Sequence, residues 1–290
     1  MSTIKAGYLI SYDYEYVKIS LLRIYDFVDE IFLAIDVDRK TWSGKDFLIR
    51  ESFWEWIKLV DNANKIKIYE DRFYIPGLSP MQCDTRERNM LAQRMGDCDW
   101  YLQIDSDEYF IDFEVFASKL RRLHPTVPTT IVCPVATIFK KVVSGYLLIA
   151  ESSETLCFAT NLPVYDNAKH NSGNNYISWD DLVLHQSWAR EPEEIYWKLH
   201  NWSHKNDFNI NSYYNLWNAV DEFNFFSLQD FHPLGSGAWP KLKMIKAKNI
   251  VELLNSEEVR MINRSEKDKI KRKPLTSRLW KEIRSSFKYS

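Results

Sequence analysis

The stretch WYLQIDSDEYF, residues 100 to 110, sets three carboxylates, Asp105, Asp107 and Glu108, directly behind a short apolar run. Residues two apart on a strand point to the same side, so Asp105 and Asp107 are expected to reach one ligand together. Such a pair is either a metal site or a solvated turn. Oxygen-only ligands suit Mg²⁺ or Mn²⁺, hard ions that keep waters and bind substrate phosphates. An ion held there would neutralise a diphosphate as it leaves. Asp36 and Asp71 also close apolar runs, which lines three acids along one rim with Asp105.

The elements that must position these acids alternate regularly. AGYLIS (6 to 11), EIFLAID (30 to 36), KIKIYED (65 to 71) and WYLQID (100 to 105) read as strands. Between them, residues 15 to 28, 51 to 64 and 85 to 97 carry helical spacing, and Gly96 suits a C-terminal stop. This order predicts an α/β fold, a mostly parallel sheet with helices on both faces. In such sheets ligands bind beyond the carboxyl ends of the strands. No Gly-rich phosphate loop follows the first strand, which disfavours a classical dinucleotide fold or P-loop enzyme. Beyond residue 110 the alternation weakens: a helix is expected at 111 to 123, strands at 129 to 139 and 145 to 152, and helices at 191 to 204 and 212 to 228.

The 290 residues suit one catalytic-sized domain with an appendage, and a 45% hydrophobic content is ample for its core. A net charge of −2 gives no global basic field, so nucleic acid is not expected as a partner. Cys83, Cys98, Cys133 and Cys157 lack C-x-x-C spacing and read as reduced, buried thiols. With neither a signal-peptide pattern nor an apolar run of membrane-spanning length, the expected location is cytoplasmic. The sequons at Asn201 and Asn263 then read as chance matches. Aromatic residues crowd the segment from 176 to 239, where they serve sugar stacking or, more commonly, core. The basic segment 267 to 290 places Leu279, Trp280, Ile283 and Phe287 on one helix face; it fits an anionic membrane surface and equally a solvated tail.

RERNMLAQRMGDCDWYLQIDSDEYF, together with the early β/α half, resembles the GT-A glycosyltransferases, in particular family 2-like bacterial enzymes. EIFLAIDVDRKTWSGK is similar to a segment of related sugar transferases; the likeness is good over about residues 5 to 112. The resemblance implies a GT-A catalytic domain over 1–240, with a nucleotide-sugar half to about 112 and an acceptor half after it, and a helical basic tail over 241–290. It also implies a nucleotide-sugar donor, a UDP-sugar, bound with Mn²⁺ or Mg²⁺. By similarity, Asp107 coordinates the ion, Asp105 contacts it or the ribose, and Glu108 orients the pair. Arg86, Arg88 and Asn89 contact the nucleotide and the acidic motif, although Arg88 has a purely structural reading as a partner of Asp105 or Glu108. Ser11, Asp36, Lys45 and Asp71 are candidate contacts for uridine or diphosphate. His185 is the expected third metal ligand, with a satisfied structural histidine as the competing reading. His200 and His204, at i and i+4 without an HExxH pattern, read as structural or acceptor-side.

Transfer with inversion also needs a carboxylate that takes the proton of the acceptor hydroxyl. Asp181 is the candidate, with Asp180 and Glu151 behind it. The acceptor implied is a glycan or lipid-linked glycan, in cell-surface polysaccharide assembly at the inner face of the membrane. Two other functions stay open: a sugar nucleotidyltransferase, for which LISYDYEYVK lacks the Gly-rich loop, and a noncatalytic carbohydrate-binding protein, which leaves IDSDE unexplained.

Overall fold

The computed structural model describes residues 2–201 and 207–262. Its first half follows the predicted order: β1 (Ile4–Ile10), α1 (Val17–Ile24), β2 (Glu30–Asp36), α2 (Glu51–Val60), β3 (Ile66–Asp71), α3 (Pro80–Met95) and β4 (Trp100–Asp105). The four strands lie side by side in the order β4-β1-β2-β3, all parallel. The chain is therefore α/β, with a mostly parallel central sheet.

Helices cover both faces. On one, Leu91 and Met95 of α3 join Leu9, Phe32, Ala34 and Tyr101. On the other, residues of α1 and α2 pack on Ile4, Ala6, Tyr8, Ile10 and the alternate positions of β2 and β4. Gly7 permits the close approach of α3: a Cβ there would come 2.7 Å from Leu91 Cδ2. The helix expected from 85 begins five residues earlier, at Pro80. Ser79 and Gln82 form a reciprocal capping box there, which satisfies backbone donors at the helix start.

After β4 the chain runs through β5 (Glu108–Phe110), α4 (Phe113–Arg122), β6 (Thr129–Val142), β7 (Gly145–Ala150), β8 (Thr155–Thr160), β9 (Asn175–Ser178) and β10 (Val183–His185). Then come α5 (Pro192–Asn201), α6 (Ile210–Ala219), β11 (Lys241–Ile245) and α7 (Ile250–Leu254). β8 joins β4 antiparallel and extends the sheet through β6 and β7 to β11. The long β6 also pairs with β9 and β10 in parallel.

The tail expected to be helical from 241 opens instead on a strand. In KLKMI, Leu242 and Met244 face one cluster and Ile245 another, the lysines are exposed, and all five residues pair with β7. α7 then sets Leu253 and Leu254 against Ile138, Tyr146 and Leu148. The basic segment 267–290 lies outside the described residues. Among the described residues, no helix is long and apolar enough to cross a membrane. All four cysteines are free, and three of them are buried.

Candidate functional site

β4 carries Trp100, Leu102 and Ile104 into the core and ends at Asp105, beside Leu9 of β1. Ser106 and Asp107 form a turn before β5 starts at Glu108. The strand alternation that would aim Asp105 and Asp107 at one ligand therefore stops at Asp105, and the two carboxylates go to different partners.

Asp105 turns toward α3. Its Oδ1 accepts from Nη2 of Arg88 at 2.8 Å, and Nε of Arg88 donates to Asp84 at 2.7 Å. Lys169, from the loop between β8 and β9, lies 3.4 Å from Asp105 Oδ2 and donates to both oxygens of Glu108, at 2.5 and 2.8 Å. Glu108, wholly buried, also accepts from the backbone N–H of Asp105 at 2.8 Å. Burial by itself would raise the Asp105 carboxyl; Arg88 and Lys169 outweigh it and hold the group far below its ordinary range.

Asp107 belongs to a second group. Its Oδ2 accepts from Nη2 of Arg190 at 2.5 Å, and the same nitrogen reaches Asp13 at 3.1 Å in the loop after β1. Nε2 of His185 lies 3.4 Å from Asp107 Oδ1, and Nζ of Lys198, on α5, lies 3.9 Å from Oδ2. Arg190 also stacks on Tyr16, 4.5 Å from the ring centre. Its Nε and Nη1 are buried without a hydrogen-bond partner among the described residues. Burial, aided by the charge of Arg190, brings Lys198 down to about 8, and burial also raises Asp13 against the pull of Arg190. The open side of the cluster shows Asp105, His185 and Asp13, whose side chains are 33%, 22% and 18% exposed. Tyr12 and Trp197 face each other beside it with ring centres 5.6 Å apart.

Other predicted residues fall elsewhere. The Asp36 carboxylate accepts four backbone N–H groups, from Asp38, Lys40, Phe73 and Tyr74, at 2.9 to 3.0 Å. That saturates its oxygens and makes it the anchor of two loops. Asp71 takes the Tyr69 hydroxyl and the N–H of Arg72 on edge strand β3. Lys45 is exposed and its backbone closes a turn with Thr41, while the Ser11 carbonyl accepts from Tyr14. Arg86 donates to the carbonyls of Arg72 and Phe73. Asn89 fastens the loop that carries Lys169, through Tyr165 N and O, both at 2.9 Å.

Asp180 and Asp181, expected as the base, share Lys119 of α4 at 2.7 and 2.8 Å. Asp181 precedes β10 and His185 ends it, so about 13 Å of extended chain separates them. Its carboxylate therefore sits at the opposite end of β10 from the Asp107 cluster. Glu151 is exposed and pairs with Lys241. His200 bonds its own helix through Nδ1 and the Tyr196 carbonyl, and His204 lies outside the described residues.

The arrangement does not fit a divalent ion bridging Asp105 and Asp107. Each of the four carboxylate oxygens already faces a cation or an imidazole. Among the described residues no group of three or more His, Cys, Asp and Glu side chains could hold a metal. Sequence reasoning missed Asp13, Lys169, Arg190 and Lys198 because their common feature is spatial: each comes from a different loop or helix. HQSWAR carries the only local hint, an arginine following His185.

Neither a protein-family model nor a curated protein sequence matches the chain. Among solved structures, S. aureus TarS 1-349 is similar over 49% of this chain and 37% of its own, at 16% identity and a TM-score of 0.30. The mannosyltransferase PcManGT from Pyrobaculum calidifontis, in complex with GDP-Man and Mn²⁺, is similar over 69% of this chain and 61% of its own, at 10% identity and a TM-score of 0.43. The inositol-1-phosphate CTP transferase from T. maritima is similar over 92% of this chain and 97% of its own, at 10% identity and a TM-score of 0.31. The chain thus spans less than two thirds of the length of the first two, and the superpositions are loose. Function has to be read from the residues at the sheet edge.

Proposed function

We propose that the chain is a glycosyltransferase of the GT-A kind, moving a sugar from a nucleotide-sugar, a UDP-sugar by preference, to a glycan hydroxyl by single displacement. The observation that supports this reading is the double ion-pair cluster at the carboxyl ends of β1 and β4, where an α/β sheet presents its ligands. Gathering ten charged or titratable side chains in one largely desolvated place costs stability unless they are paired, and their retention at a partly exposed sheet edge supports a functional reading. Lys198 and Arg190 are assigned to the departing diphosphate, and the Tyr12–Trp197 ring pair to a wall of the donor cleft. A divalent ion would enter only with Arg190 displaced from Asp107. A growing glycan, soluble or lipid-linked, is the proposed acceptor.

The test is incubation with UDP- and GDP-sugars, with Mn²⁺ and with EDTA, in the presence of glycan acceptors. Release of UDP or GDP, accelerated by an acceptor, is the expected result. Pyrophosphate release from a nucleoside triphosphate and a sugar phosphate would replace this reading with nucleotidyl transfer, and glycan binding without turnover would replace it with a lectin.

A further inference from the structure

With Asp181 committed to Lys119, the rim needs another carboxylate to activate an acceptor hydroxyl. One stands a single strand away from His185. β10 and β6 run parallel with His185 opposite Thr137, so both side chains leave the same face about 4.8 Å apart at their Cα atoms. Two residues earlier on that face, Val183 and Val135 are core. Thr137 itself is buried, and its Oγ1 donates to Glu154 Oε2 at 3.1 Å.

Glu154 is held on one oxygen and open on the other. Oε2 also accepts from the indole N–H of Trp239 at 2.9 Å and from the Ser152 hydroxyl at 3.3 Å. Oε1 faces Nε2 of His232 across 4.0 Å. Nδ1 of that ring accepts backbone N–H groups from Leu234 at 3.1 Å and Gly235 at 2.9 Å, which places the hydrogen of the neutral ring on Nε2. A gap of 4.0 Å is too long for a direct hydrogen bond, yet it admits one oxygen about 2.8 Å from each side. A hydroxyl there donates to Glu154 and accepts from His232. Glu154 and His232 are 29% and 16% exposed at the side chain, so both reach solvent.

We propose that Glu154 is the general base of sugar transfer and that the Glu154–His232 gap binds the acceptor hydroxyl. The hydroxyl proton moves to Glu154 Oε1, and its oxygen forms a bond to the anomeric carbon. The bond from that carbon to the diphosphate oxygen breaks, and the electron pair leaves with the diphosphate. This assignment rests on the transferase reading above.

Glu154→Gln keeps an accepting oxygen for Trp239 and Thr137 and removes the base. It is expected to lower kcat for transfer by at least about 100-fold, as loss of a general base does, with UDP or GDP affinity by calorimetry unchanged within about twofold. His232→Asn keeps an acceptor for Leu234 and Gly235 but loses the Nε2 hydrogen; it should raise the acceptor KM by up to about tenfold, the effect of one hydrogen bond, and leave the donor KM alone. An active wild type with an equally active Glu154→Gln variant, or an unchanged acceptor KM in His232→Asn, overturns this assignment only. A wild type that neither binds UDP or GDP nor turns over any donor overturns the transferase reading, and this assignment with it.

Discussion

Lys169→Met tests whether the ion pairs beneath the rim hold the site together. Glu108 is wholly buried, and its carboxylate has three donor contacts: two from Lys169, at 2.5 and 2.8 Å, and one from the Asp105 N–H at 2.8 Å. Methionine matches the lysine stem in length but removes the charge. Glu108 is then left with one backbone donor, and Asp105 loses its neighbour at 3.4 Å. Breaking a buried pair from one side costs about 3–5 kcal/mol, a large share of the roughly 5–15 kcal/mol that stabilises a typical domain. Glu108→Gln in the same chain removes the stranded charge. The double variant should therefore recover about 2–3 kcal/mol relative to the sum of the singles, within the range seen for contacting residues. Urea unfolding followed by tryptophan fluorescence, with m compared across the four proteins, measures the cycle. A loss below about 1 kcal/mol for Lys169→Met, or additivity within about 0.5 kcal/mol, would show that the pair adds no stability and refute the argument.

Lys119→Met should lower stability by about 1–3 kcal/mol, by taking the Lys119 cation away from the buried Asp181, with kcat for transfer unchanged within about twofold; a tenfold fall in kcat in a stable variant would return Asp181 to the catalytic role. Burial raises Glu87 to about 8 from an ordinary 4.5, although the Trp42 indole donates to it at 2.6 Å. Between those values the folded chain holds a proton that the unfolded chain has released, so this residue's contribution to stability declines as pH rises from about 4.5 to 8. Glu87→Gln should thus lose less stability than wild type between pH 5 and pH 8, the difference reaching a few kcal/mol; identical pH profiles of the urea midpoint would contradict it.

The sequence by itself determined the parallel half of the sheet. β1 to β4 read as apolar runs separated by helical spacing, because strands buried on both faces leave a local imprint and their order follows from chain order. It also located the acids at the end of β4. What it could not determine was how those acids are shared out. The turn at Ser106 ends the alternation that would have aimed Asp105 and Asp107 together. Their cations arrive from residues 88, 169, 190 and 198, whose spacing along the chain carries no period. Asp36, read as a ligand contact, proved to be a loop anchor because its four donors come partly from its own loop and partly from the one after β3. Glu154 gave no sign at all, since its partners Thr137, Trp239 and His232 meet only when β6 and the segment before β11 fold onto it. Local pattern encodes what a segment buries; which charges meet across the sheet edge depends on long-range closure, and only the tertiary structure decides that.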